Sequence, residues 1–238
     1  KAILRAELRR LFGWLKNKGV TAIITGEKGQ KGLTRQGLEE YVSDSVILLD
    51  NRVTNKITTR LLRVIKYRGS SHGTNEYPFL IDEEGITVLP VTSLLLEHEV
   101  SSKRNSSGIP ALDKMLGGKG FFEGSSILIS GTAGTGKTSL AASFFYESCN
   151  RKERCIYFAF EESPKQIMRN MKSIGIDLDK HIKNGLLEMH ASRPTLFGLE
   201  MHLVTIYKKI KKFKPKTVIL DPITNLITIG SVSEVKAM

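Results

Sequence analysis

Apolar and polar positions along the chain change their period near its middle. At the start, Leu4, Leu8, Leu11, Phe12 and Leu15 recur at helical spacing and predict an amphipathic helix, already under way at Lys1. Val20 to Thr25 is β-branched and apolar and ends at Gly26, which predicts a buried strand. Val46 to Leu49 predicts a second strand and Ile57 to Arg68 a longer, alternating third, with the turn-like Asp50-Asn51 and Asn55 around them. Tyr77 to Ile81 and Ile86 to Leu89 flank Asp82-Glu83-Glu84-Gly85, an acidic loop ending in glycine that predicts a hairpin. Residues 1–90 therefore read as one helix followed by a strand-rich half-domain.

The pattern fades after Pro90. The polar, Ser-rich stretch Ser101 to Gly108 has the composition of an exposed linker, which places a domain boundary within residues 91–107. From residue 108 a second domain begins, and from Gly124 strands and helices alternate. Ile127-Leu128-Ile129 predicts a strand, with a helix from about Lys137, a strand over Cys155 to Phe160 and a helix from Pro164 after it. A strand over Leu186 to Met189, a helix over Gly198 to Phe213 and a strand over Thr217 to Asp221 complete the series. Such alternation calls for a parallel sheet flanked by helices, so the fold class is α/β, joined to a strand-rich partial domain.

Charge adds a second question. The 238 residues carry 36 Lys plus Arg against 24 Asp plus Glu, a net charge of +12, which invites a nucleic-acid partner. The densest basic run, Lys208, Lys209, Lys211, Lys212, Lys214 and Lys216, closes the helix that ends at Phe213, where cations meet the helix dipole favourably. No aromatic strip accompanies it, so a solvated helix end is the better reading and nucleic acid is disfavoured. No apolar stretch approaches the roughly 20 residues that cross a bilayer, and the basic start lacks the pattern of a signal peptide. A cytoplasmic chain with no membrane contact is expected. Cys149 and Cys155 have neither CxxC spacing nor a nearby His cluster and read as buried or idle thiols, not a zinc site.

The chemistry begins at Gly131, Thr132, Ala133, Gly134, Thr135, Gly136, Lys137 and Thr138, a full GxxxxGK[ST] set between an apolar run and a helix, with Ser139 following. The glycines let successive N–H groups converge on phosphate oxygens, and the helix N-terminus adds about half a positive charge. Lys137 would reach the β- and γ-phosphates and Thr138 would coordinate Mg²⁺. These residues predict nucleoside triphosphate binding. Asp221 closes an apolar strand at its C-terminal end, where α/β proteins bind ligands, and is a second candidate for holding Mg²⁺. Glu161-Glu162, directly after another strand, would activate an attacking water or hydroxyl. Equally, the pair would complement the dipole of the helix that Pro164 starts.

Together, the phosphate loop, Phe160-Glu161-Glu162-Ser163 and the Asp221 strand resemble the RecA-like P-loop NTPases, and within them the KaiC family of circadian-clock ATPases and autokinases. The stretch Ser107-Gly108-Ile109-Pro110-Ala111-Leu112-Asp113, then Gly117-Gly118 and Gly120-Phe121-Phe122, is similar to the lead-in to a phosphate loop of that family. Ile65 to His72 with Glu76-Tyr77-Pro78-Phe79 resembles the closing strands of such an ATPase domain. The resemblance implies ATP and Mg²⁺ as cofactors, Mg-dependent hydrolysis with Glu161, Glu162 and Lys137 as catalytic groups, serine/threonine autokinase activity, a homo-hexameric ring, and clock-type or signalling partners. It also implies that Lys66, Arg68 and His72 contact the nucleotide held by a neighbouring subunit.

The family pairs two ATPase domains in tandem, so the resemblance implies a fragment: the end of a first domain and the start of a second. Together the two pieces amount to about one ATPase domain in permuted order, and one sheet holding both Val20–Thr25 and Thr217–Asp221 is a further expectation. Two positions depart from the clock proteins, Pro222 where they carry Ser and Thr74 where their first domain carries Lys. The alternatives are a DNA-dependent recombinase or helicase motor and a scaffold that assembles on ATP.

Overall fold

The computed structural model describes residues 2–29, 43–54, 57–88, 101–196 and 198–227. The chain divides into two compact units, residues 1–52 with 60–89, and residues 53–59 with 90–238.

In the first unit, helix α1 (Ala2–Asn17) half-buries Leu8, Phe12 and Leu15 and leaves Leu11 and Trp14 exposed. Four strands follow, β1 (Ser45–Thr54), β2 (Ile57–Tyr67), β3 (Glu76–Asp82) and β4 (Gly85–Val88), side by side in chain order, with the facing ends of β1 and β2 within the 53–59 stretch of the second unit. β2 and β3 pair antiparallel with Leu61 opposite Pro78, and β3 and β4 with Phe79 opposite Val88. The predicted hairpin turns at Glu83-Glu84, where Gly85 at φ 99° takes a backbone conformation costly to any residue with a Cβ. Pro78 and Phe79 are the buried residues of this sheet among those described.

Val20 to Thr25 forms no strand. Ile23 is 92% exposed, and the described residues offer it no sheet neighbour. An apolar run states a preference for burial, but a strand also needs a partner for its N–H and C=O groups. Consequently the single sheet uniting this segment with Thr217–Asp221 is not formed.

The second unit opens with β5 (Arg104–Asn105), α2 (Pro110–Met115) and β6 (Phe121–Phe122), with β5 and β6 antiparallel. Residues 101–108 were expected as an exposed linker and are instead tied down, while residues 91–100 lie outside the described residues. The Arg104 guanidinium donates to the carbonyls of Gly120 and Leu116. Ser107 is buried, and its hydroxyl and N–H both donate to Asp113. Polar composition misled because these side chains satisfy local backbone and carboxylate groups rather than water.

Helix α3 (Lys137–Asn150) leads to a three-stranded parallel sheet of β7 (Cys155–Ala159), β8 (Leu187–Ala191) and β9 (Thr217–Asp221), in the order β8-β7-β9. β7 sits in the middle and pairs Tyr157 with Met189 on one side and Ile219 on the other. Helices α4 (Pro164–Ser173), the short α5 (Asp179–Lys183), α6 (Leu199–Phe213) and the one-turn α7 (Thr224–Ile227) complete the unit. All five β7 residues are buried, and alternation sends them to two cores. Cys155, Tyr157 and Ala159 pack with Ala142, Phe145 and Cys149 of α3 and Ile167 and Met171 of α4. Ile156 and Phe158 pack with Leu199 and Leu226, with Leu203, Ile206 and Ile210 of α6 around them. Both thiols are free and buried, as predicted. Lys211 and Lys212 fall in the last turn of α6.

Ile127-Leu128-Ile129 is the other expected strand that is not one. Leu128 is 81% exposed, and among the described residues no strand lies alongside this run.

Candidate functional site

The loop Gly131–Gly136 turns on itself before α3. Thr135 donates from its hydroxyl to the Thr132 carbonyl at 2.8 Å, and a Cβ on Gly131 would fall 2.5 Å from that same hydroxyl. Gly134 and Gly136 have φ of 79° and 86°, left-handed values that glycine takes without a steric cost. Gly136 is the N-cap of α3 and has no side chain with which to cap it, and the first turn contains no acidic residue. The opening N–H groups and the positive end of the helix dipole are thus left uncompensated by the protein, as an anion site requires. Lys137 curls back and donates from Nζ to the carbonyls of Gly131 and Thr132, each at 2.8 Å, so its ammonium sits over the loop.

Thr138, one residue further on, donates from Oγ1 to Oδ2 of Asp221 at 2.7 Å. The two residues lie 83 positions apart, and the sheet joins them: α3 packs on β7, and β9 runs beside β7 and ends at Asp221. Tyr157 of β7 donates its hydroxyl to the same Oδ2. Burial, followed by the Asp221 hydrogen bond and the charges of Asp221 and Glu162, pushes the Tyr157 phenol far above its ordinary range, so it remains a proton donor.

Glu161 and Glu162 follow β7 at the same end of the sheet. Phe160 N–H donates to the Asp221 carbonyl at 2.9 Å, and Asn225 donates to the Phe160 carbonyl at 3.3 Å, which fixes the exit from the strand. The helix after it is capped by Ser163 and Gln166: the Gln166 N–H reaches the Ser163 hydroxyl and the Gln166 side chain returns to the Ser163 N–H. The glutamates precede that cap and the first turn of α4 holds no acid, so the reading of the pair as a first-turn complement to the dipole is corrected. Ser163 supplies the capping that their charge would otherwise provide.

A small cleft of about 40 Å³ is lined by Thr138, Glu161, Glu162, Ile167, Asp221 and Pro222. Its polar groups are carboxylate and hydroxyl oxygens, the donor set of a hard cation such as Mg²⁺. Among the described residues no group of three or more His, Cys, Asp or Glu is arranged to hold a metal unaided. A cation here would need further oxygens, and a phosphate chain bound at the adjacent loop would supply them, so the residues fit Mg²⁺ only together with a nucleotide.

Phosphate-loop residues, Asp221 and the two glutamates are therefore brought together. Lys66, Arg68 and His72 belong to the other unit, on β2 and just after it. Lys66 donates to the Ser43 carbonyl at 2.7 Å and Arg68 pairs with Asp44 at 3.3 Å. A hydrogen bond from Lys16 above all, with help from Arg68, holds the Asp44 carboxyl below its usual range. Sequence reasoning missed Tyr157. Its signal was available, because a tyrosine inside an otherwise apolar, fully buried strand needs a partner for its hydroxyl.

A family model described as "ATPase: KaiC" matches residues 1–93 and 105–237. The circadian clock protein KaiC2 of Synechocystis sp. is 59% identical over 234 residues, covering 98% of this chain and 41% of that protein. The circadian clock oscillator protein KaiC of Picosynechococcus sp. is 42% identical over 94% of this chain and 44% of its own length. KaiC of Synechococcus elongatus is 40% identical over 94% of this chain and 44% of itself. The chain thus spans about two-fifths of the length of these relatives. With a phosphate loop, a strand-end aspartate and a match that runs through both units, the chain belongs to the KaiC family of RecA-like P-loop ATPases.

Proposed function

We propose that the intact protein binds ATP with Mg²⁺ and hydrolyses it as a cytoplasmic, ring-forming KaiC-like ATPase. The observation that carries this is the 2.7 Å contact between Thr138 Oγ1 and Asp221 Oδ2 in a cleft shared with Glu161 and Glu162. A threonine that offers its oxygen lone pairs to a cation must aim its O–H elsewhere, and Asp221 is where it goes.

In this reading the N–H groups of Gly134 to Thr138 hold the β-phosphate, and Lys137 leaves the loop carbonyls to meet the β- and γ-oxygens. Thr138 and Asp221 would hold Mg²⁺, which when bound would offset the negative charge of the phosphates. Glu161 and Glu162 line the same cleft, and Glu162 is assigned as the base with Glu161 beside it. It takes a proton from water as the water oxygen bonds to the γ-phosphorus; the bond from phosphorus to the bridging oxygen breaks, releasing ADP and phosphate. A serine or threonine hydroxyl in place of water makes the same step an autokinase reaction. Lys66, Arg68 and His72 would serve a neighbouring subunit's nucleotide in a hexamer. The relatives' names, circadian clock proteins, support a clock or signalling role with protein partners.

Calorimetric titration of the intact protein with ATP and Mg²⁺ tests this, with phosphate release measured alongside. Lys137→Ala should lower nucleotide affinity at least about 100-fold, because it removes a charge-assisted contact at the loop. Uptake by Lys137→Ala equal to that of the wild type, or no uptake by either, would overturn the proposal.

A further inference from the structure

Asp221 Oδ2 accepts two hydrogen bonds, one from the Thr138 hydroxyl and one from the Tyr157 hydroxyl. The two donors arrive from different elements, the first turn of α3 and the middle of β7. The Tyr157 ring is fully buried and stands edge-on to Phe145 of α3, with centroids 5.5 Å apart at 74°. Its ring is thus held by the helix that begins at the phosphate loop, and its hydroxyl by the aspartate that ends β9. Nothing in ATP chemistry requires a hydroxyl at this point, and a phenylalanine would keep the ring and its edge-on contact with Phe145.

We propose that Tyr157 is a positioning residue for the cation site. With both lone-pair directions of Oδ2 taken by protein hydroxyls, the carboxylate is locked in rotation and presents Oδ1 to the cation or to its water. Tyr157 is not among the residues that line the cleft, and its hydroxyl acts through Asp221. Outer-shell partners of this kind typically alter metal affinity 10- to 100-fold when removed. The inference rests on the proposed ATP and Mg²⁺ site.

The test is the factor by which Mg²⁺ tightens binding of a non-hydrolysable ATP analogue to the intact protein, measured by calorimetry with and without the cation. In Tyr157→Phe, which keeps the ring and removes only the hydroxyl, that factor should fall about 10-fold while the metal-free affinity stays unchanged. Cys149→Ala, a cavity in the same core away from the cleft, should leave the factor at its wild-type value. Tyr157→Met, also without a hydroxyl, repeats the measurement should the Phe variant fail to fold. A wild-type factor in the variant lacking the hydroxyl overturns the role of Tyr157 and leaves the site reading standing. Absence of any Mg²⁺ effect in the wild-type protein overturns both.

Discussion

Leu128 and Leu187 allow one chemical change to be made in two opposite surroundings. Leu187, the first residue of β8, is 2% exposed and packs in the core between the sheet, α3 and α4; Leu128 is 81% exposed. Leu187→Ala removes buried methyl groups and leaves a cavity that the β7 ladder, paired to β8 through five residues, resists closing. Substitutions of this kind cost about 2–5 kcal/mol, whereas the same change at an exposed site stays within about 0.5 kcal/mol. With a urea dependence of about 2 kcal/mol per molar, the Leu187 variant should lose about 1–2.5 M in its unfolding midpoint and the Leu128 variant no more than about 0.25 M. Far-UV circular dichroism of this 238-residue chain in urea is the assay. Fluorescence of Trp14, the single tryptophan, follows the other unit separately and should move little with either variant. Equal midpoint shifts at the two leucines would refute the assignment of Leu128 to solvent and of Leu187 to the core.

Other perturbations reach the site and its supports. Glu162→Gln in the intact protein should lower the rate of phosphate release by about 10²–10⁴-fold with nucleotide binding retained, and Glu161→Gln should do less; the reverse order in a phosphate assay would move the base to Glu161. Ser163→Ala removes the cap of α4 and should cost about 1 kcal/mol in urea unfolding, and no loss would contradict the capping box. Acid should destabilise the chain in two stages. Burial holds His181, His190 and His202 below their ordinary value, so from about pH 6.5 downward the unfolded chain takes up protons that the folded one does not, and stability falls. For Asp113 burial acts to raise the carboxyl, but the Ser106 and Ser107 hydrogen bonds outweigh it and hold it low, so a further loss sets in below about pH 4. A midpoint that rose on acidification from pH 7 to 6 would contradict the buried state of these imidazoles.

What could be read from the sequence divides along a physical line. The phosphate loop is legible because its chemistry is local: backbone curvature needs Gly134 and Gly136, and the helix begins at once with Lys137 and Thr138. Asp221 was found through its strand, since an apolar run closed by a carboxylate marks a sheet edge where ligands bind. Strands β7, β8 and β9 were legible from apolar runs within a residue or two of their observed limits. Val20–Thr25 and Ile127–Ile129 carry the same apolar signal without becoming strands, because pairing is decided by neighbours that hydrophobicity alone does not name. The helices α2 and α5, of six and five residues, are too short to show a period. That Tyr157 needs a partner was legible, but which partner was not, because its hydrogen bond spans 64 residues and follows from which strand lies beside which.

The alternation of β7 between two cores carries a consequence for how tolerant this region is to change in length. Odd-numbered positions of the strand look toward α3, and the phenol is among them. One extra amino acid inserted ahead of Tyr157 would exchange the two sets, handing the hydroxyl to the apolar side lined by Leu203 and Ile206 and stranding Asp221 beside an aliphatic chain. Insertion of two would restore the parity but displace the glutamates past the strand's exit. The chemistry of this protein is thus held by counting, and β7 admits replacement far more readily than lengthening.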